Sequence, residues 1–278
     1  MDSENGGNAD RITQDQLKVA MGVMFTEDMI MAFGDNLKSQ TRRTNGLEDV
    51  NACPNEFVFV DVDDRKGRRF AIFNHKTTGI EVACRCPYGK PGSIIYAKEV
   101  FTGKSCNAQA FPDGDVWWHQ IPPALRNPKC VQFLHYKSDN VSVGTDNLWP
   151  GSHWRDRMSP YQLLEDEDAN LEGLKWTSSM LMKKWASRFV YRLKNVRVER
   201  VMDITDADAQ AEGIWLRGMS HPSPQHKAEF WKLWNQIHEP RGHGTAINPY
   251  CWVLDLRNVF TCGAQIEHLD MTLTEDVL

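Results

Sequence analysis

Residues 189–201 alternate apolar and polar side chains over most of their length, the period-two signature of a long strand with one buried face. Such a strand exposes a row of backbone N–H and C=O groups, so it needs strand neighbours. The sequence offers several. Residues 19–25 are short, apolar and Met-rich. Residues 56–62 and 68–73 alternate and are joined across Asp63-Asp64-Arg65-Lys66-Gly67 as a hairpin. Residues 93–101 follow the rigid turn Cys86-Pro87-Tyr88-Gly89-Lys90-Pro91-Gly92, and residues 250–259 form a last strand. Helices are few and short. Thr26 caps one that carries Met29, Ile30 and Phe33 and stops at Gly34-Asp35-Asn36. Thr205-Asp206-Ala207-Asp208 opens a second that runs through Glu212 to Gly213. Ser223-Pro224 opens a third, with Phe230, Leu233, Trp234 and Ile237 on one face. This order predicts an α+β protein: a mostly antiparallel, closed or partly open β-barrel decorated by short helices.

Residues 103–175 break the pattern. They hold short strand candidates at 116–120 and 131–136, several prolines, and a loop rich in Trp, Gly and Asp, and they read as an irregular insertion within a domain spanning 18–260. Residues 1–17 read as a disordered tail and 261–278 as a C-terminal tail, both too polar to offset the entropy of ordering. Trp117, Trp118, Trp149 and Trp154 are either packing anchors or stacking platforms for a base.

No run of about 18 apolar residues exists, so no membrane partner is expected. Residues 1–10 are polar and acidic rather than signal-like, which predicts a cytoplasmic protein, the host cytoplasm if the chain is phage-encoded. The net charge of -5 weighs against holding long nucleic acid mainly by counterion release. Seven cysteines, an odd number, predict free thiols. Cys84-Arg85-Cys86 lacks the spacing of a zinc site, and no His pattern suggests a ligand set, so neither metal nor cofactor is expected. A basic stretch from Lys183 to Arg200 is either a local binding face or the solvent side of a strand.

Leu37-Lys38-Ser39-Gln40-Thr41-Arg42-Arg43 places an amine, two hydroxyls and two guanidiniums just past a helix end. The arginines suit phosphate or carboxylate, and Thr41 with Lys38 suits a nucleophile with its base. Basic residues at a helix end also simply oppose its dipole. Lys98 and Glu99 interrupt an apolar strand, as an ion pair at the strand end or as site residues.

Four segments in order carry a resemblance: Lys38-Ser39-Gln40-Thr41-Arg42-Arg43; Pro87-Tyr88-Gly89-Lys90-Pro91-Gly92 leading to Tyr96-Ala97-Lys98-Glu99; Trp185-Ala186-Ser187-Arg188 with Val196-Arg197-Val198-Glu199-Arg200; and Asp203-Ile204-Thr205 through Ala211-Glu212-Gly213-Ile214. Together they resemble the ASCH-domain proteins of phages and prophages, members of the PUA-like barrel superfamily. The resemblance covers roughly residues 18–102 and 176–260. It departs from the usual phage pattern at Ser93, where Asp is common, and at Lys98, where Arg is common.

The chain is also similar to bacterial N4-acetylcytidine amidohydrolases in its Lys-x-x-Thr and a later Glu. That similarity implies Lys38 as base, Thr41 as nucleophile and Glu212 as acid in hydrolysis of an N4-acylated cytidine. Arg42, Arg43, Lys98, Glu99, Trp185 and Arg188 are then substrate-binding candidates. A neutral lysine amine is a competent base only if its pKa falls by roughly 3 units, or about 4 kcal/mol, through burial and neighbouring cations. Two other readings stand beside this one. One is a non-catalytic module binding RNA, DNA or a modified base. The other is a phage accessory protein that binds a host protein through the insertion.

Overall fold

The structure is a computed structural model that describes residues 16, 18–105, 116–117, 133–138, 141–144, 175–214 and 222–261. The elements begin with β1 (Met21–Met24), α1 (Glu27–Gly34), β2 (Gln40–Arg43), α2 (Glu48–Asn51), β3 (Phe57–Arg65), β4 (Arg68–His75) and β5 (Glu81–Arg85). They continue with β6 (Ile94–Lys98), β7 (Phe101–Ser105), β8 (Val116–Trp117), β9 (Phe133–Tyr136) and β10 (Val141–Gly144). The last are β11 (Phe189–Arg200), α3 (Asp206–Ala211), α4 (Pro224–His238) and β12 (Tyr250–Thr261). The mixed α+β class, with mostly antiparallel strands and few helices, follows the strand-rich order of the sequence. No sheet among the described residues closes into a barrel. The two tails and most of residues 103–175 lie outside the described residues. No helix among those described is long and apolar enough to cross a membrane.

The chain forms two compact units, one of residues 1–31, 94–191 and 258–278, the other of residues 32–93 and 192–257. In the first, β1 runs parallel to β6, with Met21 opposite Ile95 and Met24 opposite Lys98. Gly22 makes this possible: a Cβ there would lie 2.7 Å from the Tyr96 ring, which covers β1 together with the Lys98 stem. A second, antiparallel sheet has the order β10-β9-β7-β8.

The second unit carries the β3-β4-β5 meander. Lys66 and Gly67 both take left-handed φ, 49° and 75°, so the β3–β4 connection is a tight two-residue turn. β3 therefore runs on to the turn through residues 63–65, which the sequence pattern assigns to the loop, paired with residues 68–70 of β4. Arg69 holds the tip by forking onto Asp64 at 2.8 and 2.9 Å. Elsewhere in this unit β12 pairs antiparallel with β2, Gln40 facing Asp255 and Arg43 facing Trp252. A core of Val201, Ile204, Ala209, Phe230, Trp234, Cys251 and Val253 packs β12 with α3 and α4. The α3 start is the capping box expected from Thr205-x-x-Asp208, each side chain bonding the other residue's backbone N–H. Gly213, at φ 89°, ends that turn.

Candidate functional site

The segment from Lys38 to Arg43 enters β2 of the second unit, and strand alternation divides its side chains between two faces. Gln40 and Arg42 share one face, where Arg42 Nη1 donates to Gln40 Oε1. Thr41 and Arg43 belong to the other. Thr41 is 1% exposed.

Lys38 and Glu212 come together from 174 residues apart. Lys38 Nζ donates to Glu212 Oε2 at 3.0 Å, to the Glu212 carbonyl at 2.6 Å and to the Gln40 carbonyl at 2.7 Å. The close packing has a local cause. Gly213 lies so near Lys38 that a Cβ would stand 3.2 Å from the Lys38 Cβ and 3.0 Å from that of Ala32. Lys38 and Glu212 are each 3% exposed. Burial pushes the Lys38 amine below its ordinary value; Glu212 pulls the other way, and Arg43 and Arg42 add to the lowering.

Arg42 is the centre of the remaining charges. Nη1 bonds Glu212 Oε1 at 3.1 Å, and Nη2 reaches Glu199 at 2.9 Å and Asp208 at 3.4 Å. Burial opposes its charge, but Glu212, Cys251, Glu199 and Asp208 outweigh it and hold the guanidinium above its ordinary value. Outside this core, Arg197 bonds both oxygens of Asp255 at 2.9 and 2.8 Å and Glu199 at 2.6 Å. Gln40 Nε2 joins Asp208 to Asp255 at 3.0 and 2.8 Å. Gln40, Glu199 and Asp208 are therefore site residues that the sequence reading missed. For Gln40 the signal was the i, i+2 spacing of Lys38, Gln40 and Arg42, visible only once the segment is known to be extended.

The other candidates lie in the first unit. Arg188 Nε and Nη2 fork onto Glu99 at 2.9 Å each, Nη2 also donates to Ser138 Oγ at 2.8 Å, and that hydroxyl donates to Glu99 Oε2 at 2.8 Å. Arg188 lies 4.4 Å over the Tyr136 ring. Glu99 is thus paired with Arg188 rather than with its neighbour Lys98, whose Nζ donates to the Met180 carbonyl. The Trp185 side chain lies outside what is described. Among the described residues no group of three or more His, Cys, Asp or Glu is placed to hold a metal ion.

On α4, His238 stacks on Trp234 with ring centroids 4.1 Å apart. Burial, then the charges of Arg43, Arg241 and His243, push its imidazole down from 6.5 to about 4. The unfolded chain therefore binds the extra proton first as pH falls. Stability should drop by on the order of 2–3 kcal/mol between pH 6.5 and about 4. His238→Phe, which keeps the stack, should flatten that slope in Tm against pH; an equal slope in both proteins rules out His238 as its source.

Compared with protein-family models, with curated proteins and with solved structures, the chain matches none of them.

Proposed function

We propose that the chain is an ASCH-type protein of the PUA-like superfamily that acts on a modified nucleoside. The reaction is hydrolysis of the amide of an N4-acylated cytidine, with Lys38 and Glu212 as the proton-handling pair. The supporting observation is the 3.0 Å contact between these two buried side chains. A buried ion pair is weak as a stabilising device, and ionisable groups perturbed by burial and a specific partner concentrate where chemistry is done. In the reaction the Thr41 hydroxyl attacks the acyl carbon and Lys38 takes its proton. The C–N bond breaks as N4 receives a proton through Glu212, and water then releases the acyl group from Thr41.

A second reading is favoured by two details of the same site. An ammonium has three protons, and Lys38 has three acceptors within 3.0 Å, so a neutral amine would leave one acceptor without a donor. Thr41 also belongs to the opposite face of β2. Both suit a module that binds RNA or a modified base without turnover.

Hydrolysis of a panel of N4-acylated cytidines separates the two. Turnover that Lys38→Ala, Thr41→Ala and Glu212→Ala each lower by at least about a hundredfold supports the hydrolase. Folded proteins with no turnover, and RNA binding that weakens steeply with salt, support the binding module.

A further inference from the structure

We propose that Arg42 is a positioning residue: it holds one oxygen of Glu212 so that Lys38, on the other oxygen, can release a proton without stranding a buried carboxylate. The inference rests on the reading of Lys38 as a proton acceptor. It also reassigns Arg42, which the sequence marks as a candidate for gripping substrate.

The two Glu212 oxygens are divided, Oε1 to Arg42 at 3.1 Å and Oε2 to Lys38 at 3.0 Å. The Arg42 side chain is fully buried, and its terminal nitrogens are engaged by Gln40, Glu199, Asp208 and Glu212. A guanidinium so placed has no face to offer a phosphate. What it does offer is a fixed positive charge, because arginine does not lose its proton in a protein.

Without Arg42, a neutral Lys38 would face a lone carboxylate that is 3% exposed, and the cost of that state would hold the proton on the amine. With Arg42 in place, Glu212 keeps a cation in both protonation states of Lys38. The groups facing Lys38 are Glu212 from the end of α3, Arg42 and Arg43 from β2, and the Phe33 ring from α1, 5.9 Å away. Those facing Arg42 are Asp208 and Glu212 from α3 and its end, Glu199 from β11, Cys251 from β12 and the Phe230 ring from α4, 5.8 Å away. Glu199 and Asp208, partly exposed, hold the guanidinium from the solvent side.

The test is a titration of the Lys38 side chain by NMR in protein carrying 13C-labelled lysine, its signal assigned by its loss in Lys38→Met. In Arg42→Gln the midpoint should rise by about one pH unit or more, the scale of a neighbouring charge removed. In Arg42→Lys, which keeps the charge and loses the fork, it should rise by less. An unchanged midpoint in whichever variant folds overturns the proposal, and so does loss of folding in both, which would make Arg42 purely structural. Absence of turnover by the wild type would instead sink the hydrolase reading and leave the titration result standing.

Discussion

Glu212→Ala is expected to destabilise the protein by about 3–5 kcal/mol, whereas Lys38→Met should cost only about 1–3 kcal/mol. The asymmetry follows from what each substitution leaves behind. Removing Glu212 leaves two fully buried cationic side chains, Lys38 and Arg42, close together without the carboxylate that bridges them. Arg42 keeps Glu199 and Asp208, whereas Lys38 loses the carboxylate it is bonded to and keeps the carbonyls of Gln40 and residue 212. Removing Lys38 leaves Glu212 still bound to Arg42, and the main loss is a donor for two buried carbonyls. The pH dependence has the same origin. The folded protein holds Lys38 below its ordinary 10.5, so the unfolded chain binds that proton more tightly. The cost is full below the folded value and fades as pH rises towards 10.5. Urea unfolding of both variants at pH 7 and pH 9.5 or thereabouts measures each term. Equal losses for the two would mean that Arg42 does not compensate Glu212.

Most of the element order was legible because it rests on local chemistry. Thr26 before α1, Thr205-x-x-Asp208 before α3 and Ser223-Pro224 before α4 all announce helix starts through groups that bond the first free N–H donors. Alternation marks β3 and β11, whereas β4 and β12 bury consecutive residues, Ala71 to Phe73 and Tyr250 to Leu254, and read as apolar runs. The parallel pairing of β1 with β6 was hidden, because it depends on Gly22 making room for Tyr96 rather than on any pattern within β1. β5 went unpredicted since only Cys84 in it is buried, leaving no apolar stripe to read. At the site, the sequence marked Lys38, Thr41 and Glu212 but not the division of β2 into two faces. That division separates Thr41 from Arg42, and it appears only when the segment pairs with β12.

The second large effect expected is in the first unit, where Glu99→Ala should destabilise by about 3–5 kcal/mol. Arg188 is 6% exposed and Glu99 2%, so truncating Glu99 leaves a buried guanidinium with Ser138 Oγ and the Tyr136 ring in place of its counter-charge. The interest of the pair lies in what it decides about the ligand. A substrate-binding arginine keeps donors turned to solvent, whereas here the fork is closed onto Glu99 at 2.9 Å on both prongs. If the pair is structural, Glu99→Ala and Arg188→Met each lower the urea midpoint. The double variant Glu99→Met with Arg188→Met should then recover much of the loss, because an apolar pair of similar volume costs less than a lone buried charge. If the pair instead opens to take an anionic group, the single variants weaken ligand binding or turnover while the urea midpoint holds. The cycle separates the two because only a buried charge left alone makes the single variants worse than the double.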